Sequence, residues 1–132
     1  MSKQSNNLIY EVMEQMHFNE TQKAAIVSLL IEMINVDGVV DPSECAEFNT
    51  ICVECGIGEE AYSVGRSLDS MVAIDIMKKM NDLQKIAVAQ LLTRVIDADA
   101  CDDDKEIQLF NIICVATGVD VLVNARSKEK DD

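Results

Sequence analysis

Residues 19–57 and 81–119 lie over one another without a gap, at a constant separation of 62 positions. NETQKAAIVSLLIEMINVDGVVDPSECAEFNTICVECGI falls on NDLQKIAVAQLLTRVIDADACDDDKEIQLFNIICVATGV. Identities include Asn19 and Asn81, Gln22 and Gln84, Lys23 and Lys85, Leu29 and Leu91, Asp37 and Asp99, and Asp41 and Asp103. They continue through Glu44 and Glu106, Phe48 and Phe110, Cys52 and Cys114, and Gly56 and Gly118. A chain built this way is an internal duplication, so whatever one copy folds into, the other should repeat.

Each copy reads as helices. Asn19 and Asn81 suit the N-cap, where a side-chain oxygen accepts from a free backbone N–H, and Gln22 and Gln84 stand three residues on to complete a capping box. In AAIVSLLIEMINV, residues 24–36, the polar residues Ser28, Glu32 and Asn35 recur at helical spacing. Gln90, Arg94 and Asp97 take the same places in the second copy. So narrow a polar stripe on so apolar a segment predicts two central helices buried over most of their circumference.

A short loop follows in each copy, and then a second helix. Asp41 precedes Pro42, whose missing N–H costs nothing at the first helical position, and Glu44 follows; Asp103 and Glu106 repeat the arrangement. These helices should stop at Gly56 and Gly118, which tolerate the left-handed conformation that closes a helix. A further helix is expected over 59–67, with a weaker counterpart at about 119–126. Residues 5–17 and 70–80 supply a first helix to each half. With no strand signal, the expectation is an all-α, multihelical single domain over 1–132, in which a roughly four-helix unit is repeated around the two central helices. The repeats run over about 5–67 and 70–126, and the tail 127–132 reads as disordered.

The formal net charge is −13 and the pI about 4.3. Nucleic-acid affinity rests on basic side chains that release counterions, so a nucleic-acid partner is excluded and cations or basic proteins suit the chain better. There is no run of about 18 apolar residues and no secretory pattern in MSKQSNNLIYEVMEQM, which predicts a cytoplasmic protein that does not span a membrane. Five cysteines are an odd number for a disulfide framework, and reduced thiols are expected.

The loops carry the charge. DADACDDDKE, residues 97–106, packs six carboxylates into ten positions. Like charges at about 6 Å repel by roughly 0.7 kcal/mol per pair even in water. Helix capping accounts for Asp41, Glu44, Asp103 and Glu106, but not for Asp37, Asp97, Asp99, Asp102 or Asp104. An EF-hand is rejected: Asp97, Asp99 and Asp103 fit positions one, three and seven, but position six lacks glycine and position twelve is Gln108. Counting from Asp37 puts Phe48 at position twelve. The remaining metal reading has the two loops share one divalent cation (calcium, magnesium, manganese or zinc), with Asp37, Asp41, Glu44, Asp97, Asp99, Asp103 and Glu106 as ligands. The plainer reading is an exposed acidic face that keeps the protein soluble.

An apolar helix, then VDGVVDPSE, then a helix carrying Phe48 resembles the TerB family of tellurite-resistance proteins, and is also similar to the related domain of some membrane-bound DnaJ-type co-chaperones. The similarity covers roughly residues 5–120 and is sharpest at Asp37-Gly38 followed by Glu44. The resemblance implies an all-helical, duplicated, cytoplasmic protein of metal or stress response without catalytic activity. It gives the metal role to Asp37, Asp41 and Glu44, and the repeat carries that role to Asp99, Asp103 and Glu106. Ala100 stands where the first copy has Gly38.

Other candidates read as structural. Cys52 and Cys55 form a CxxC within a helix, with no second pair to complete a zinc site, and suit core packing. Cys101 lies in the acidic loop, where an exposed thiol would suit a soft cation. His17 sits near a helix end, and Met71, Met77 and Met80 at helical spacing suit a core. Cys55-Gly-Ile-Gly58 follows a helix, not a strand, and reads as a helix stop. No Ser, His and Asp set can be assembled, so no enzyme is expected. Two functions remain: a non-catalytic cation-binding or tellurite-stress protein, and an acidic interaction module that docks a basic or membrane-associated protein partner.

Overall fold

In the computed structural model, which describes residues 17–98 and 104–123, six helices follow one another: α1 Glu20–Asn35, α2 Pro42–Glu54, α3 Glu59–Ser67, α4 Ser70–Lys78, α5 Asp82–Ala98 and α6 Asp104–Thr117. Residues 119–123 are also helical, and no strand occurs among the described residues. The expected helix before His17, the turn from Asp99 to Asp103 and the tail lie outside them.

Helices α1 and α5 begin 62 positions apart, as do α2 and α6. Both capping boxes form: Asn19 Oδ1 accepts from Gln22 N at 2.8 Å and Asn81 Oδ1 from Gln84 N at 2.8 Å, with the glutamine oxygens accepting in return from the asparagine N–H groups. The two boxes also touch each other. Gln84 Nε2 donates to the His17 carbonyl at 3.1 Å and to Gln22 Oε1 at 3.4 Å, so residues 62 positions apart meet where α1 and α5 begin. Gln84 is buried and Gln22 only half so. Gln84→Ala is therefore expected to cost about 1–2 kcal/mol, and Gln22→Ala measurably less, by urea denaturation. His17 itself is exposed, in the stretch before α1, and contributes its backbone carbonyl.

The central pair is buried as the narrow polar stripe predicts. Ile26, Leu29, Leu30 and Met33 of α1 and Leu91, Leu92 and Val95 of α5 are at most 1% exposed. Ile51 of α2 and its counterpart Ile113 of α6 close over them. Helix α1 packs on α3, α4 and α5; α5 packs on α1, α2 and α6; α4 also meets α6. Met77 and Met80 fill the core, but Met71 is 72% exposed, which corrects the expectation that all three are interior. The apolar stripe of α4 turns Ala73 and Met77 inward and leaves the first turn outside.

Glycine sets two boundaries and one contact. After α2, Gly56 has φ +65, and the Gly56 and Ile57 N–H groups donate to the Val53 and Cys52 carbonyls; after α6, Gly118 (φ +85) donates its N–H to the Val115 carbonyl. Gly65 of α3 lies so close to α1 that a Cβ there would sit 2.5 Å from Val27 Cβ and 2.7 Å from the Ala24 carbonyl oxygen. Ser28, the one buried member of its polar stripe, donates its hydroxyl to the Leu68 carbonyl that ends α3, at 3.0 Å. Tyr62 of α3 meets the Phe48 ring with centroids 6.0 Å apart and carries Arg66 on its own ring.

Candidate functional site

The first acidic turn is built from its own backbone. Gly38 adopts φ +80 and donates to the Asn35 carbonyl at the end of α1, while Asp37 Oδ1 accepts from Val39 N at 2.9 Å. Asp41 Oδ1 accepts from Ser43 N at 2.7 Å and caps α2, with Pro42 in the first turn. One oxygen of each aspartate is thus engaged locally, and both side chains are half-buried. Val39 and Val40 between them are exposed.

The third carboxylate of the motif does not join them at the surface. Glu44 is fully buried, and so is its counterpart Glu106, each on the first turn of its helix. Asp41 caps α2 as expected, through Ser43 N, while the Glu44 side chain is buried. Asp97 is exposed on the last turn of α5, in the polar stripe the sequence assigns it to. Asp99, Asp103 and Cys101 lie outside the described residues. Among the described residues, no three His, Cys, Asp or Glu side chains are grouped as a metal ion requires.

The described thiols pack against the core. Cys114 is buried, and Cys45, Cys52 and Cys55 lie half-buried against the core. Burial, reinforced by Glu54, pushes the Cys55 thiol up to about 11, and burial also raises Cys52 and Cys114, the latter with help from Asp120. Raised thiols carry little thiolate at neutral pH and make poor nucleophiles or metal ligands.

The residue that sequence reasoning passed over is Arg94. Placed in the polar stripe of α5, it reaches across to α2, where its Nε donates to Glu47 Oε1 at 3.0 Å and its Nη2 to Glu54 Oε2 at 2.6 Å. Burial opposes its charge, but the hydrogen bonds to Glu54 and Glu47 outweigh that and hold the guanidinium above its ordinary value. Sixty-two positions away from Arg94, Glu47 and Glu54 stand Glu32, Leu109 and Ala116, so the ion cluster has no equivalent there. That mismatch between copies was the available signal. Arg94→Ala is expected to destabilise by about 1–2 kcal/mol, since the pair of carboxylates left behind is only partly solvated. A double-mutant cycle with Glu54→Gln checks it.

A cleft of about 400 Å³ opens between α5, α6 and residues 119–123. Ala89, Phe110, Cys114 and Val119 form its apolar part, and Gln90 and Asp120 are among its polar lining. Leu83 and Ile107, 55% and 42% exposed, extend the same helical stripes one turn further. In the first copy the corresponding face of α1, at Ala24, Val27 and Ser28, is covered by α3. On α5, 62 positions further on, Gln90 is exposed while Ala89 is buried.

No protein-family profile matches the sequence, and no curated protein matches it. Among solved structures, the chain is similar to a protein of unknown function, PG1108 from Porphyromonas gingivalis W83. The two share 24% identity over 78% of this chain and 86% of that one, with a TM-score of 0.67. That likeness establishes a shared helical fold. No helix among the described residues is long and apolar enough to cross a membrane.

Proposed function

We propose that the chain is a TerB-like, non-catalytic binding protein whose acidic surface docks a basic protein partner. The observation that carries this reading is the disposition of charge: the chain has a net charge of −13, and several of its few cations are already occupied. Lys23 pairs with Glu20, Lys79 with Asp75, and Arg94 with Glu47 and Glu54. What remains at the surface is an excess of carboxylate, which steers a basic partner by long-range attraction. The half-buried, raised thiols and the exposed single histidine fit binding better than catalysis.

The test is the anisotropy of a fluorescent lysine decapeptide titrated with the full chain. Binding at about 20 mM salt that weakens steeply by about 200 mM supports the reading, and its absence at low salt contradicts it. The second reading, a divalent cation held by the acidic turns, is favoured by the half-buried carboxylates of Asp37 and Asp41 beside the Gly38 turn. It requires calcium, magnesium, manganese or zinc to raise the melting temperature saturably, with Asp37→Asn and Asp99→Asn together abolishing the rise.

A further inference from the structure

We draw no further inference here: the strongest candidate, the exposed apolar face of α6 at Ile112 and Val115, carries nothing because nothing in the structure shows what covers it.

Discussion

Gly65→Ala should destabilise the protein by about 2–3 kcal/mol, although alanine is the better helix former by about 1 kcal/mol. The added Cβ would lie 2.7 Å from the Ala24 carbonyl oxygen and 2.5 Å from Val27 Cβ. Neither is the end of a flexible side chain: the first is backbone at the centre of a fully packed helix, and the second is fixed to it. Relief must come from α3 lifting off α1, which also stretches the Ser28 bond to Leu68 and the Phe48–Tyr62 contact. Val27→Ala should rescue little of the loss, because its own Cβ and the Ala24 carbonyl remain. Urea midpoints of the three variants decide it; a neutral or stabilising Gly65→Ala would mean that α3 does not sit this close.

The second large effect is expected at Glu44 and Glu106. A glutamate on an exposed first helical turn contributes about 0.3–1 kcal/mol through the helix dipole. These two are fully buried, and carboxylates this deep are held in place by partners. Truncation removes buried side-chain volume and the polar contacts made with it, so Glu44→Ala and Glu106→Ala should each cost about 2–5 kcal/mol. Similar losses at both sites are expected, since each carboxylate stands at the third position of its helix, 62 residues apart. Losses below about 1 kcal/mol would return both to the role of surface caps.

Much of this architecture was legible in the sequence because its signals are local. Asn-x-x-Gln before an apolar run yields the two capping boxes, Asp-Pro the start of α2, and Gly56 and Gly118 the stops of α2 and α6. Helix α3 falls over residues 59–67 as its sequence suggests. What escaped depends on which side of a helix turns inward, and that is decided by neighbours far along the chain. Asp41 and Glu44 look alike as first-turn acids, yet Asp41 reaches a nearby N–H and Glu44 enters the core. Arg94 sits in a stripe that reads as solvated, and only the crossing of α2 over α5 gives it two carboxylates. The cleft was invisible for a related reason: it is formed where α5, α6 and residues 119–123 meet, which no local pattern announces.

The whole arrangement has meaning only if α1 and α5 are equivalent centres of a common core. Amide hydrogen exchange of the full chain, measured residue by residue, tests this most directly. The slowest amides are expected in both Ile26–Met33 and Val88–Val95, with protection in the two stretches agreeing within about 1 kcal/mol, because the most deeply buried segments open only with the whole fold. Strong protection in α1 alone, with α5 exchanging as fast as the exposed first turn of α4, would contradict the account.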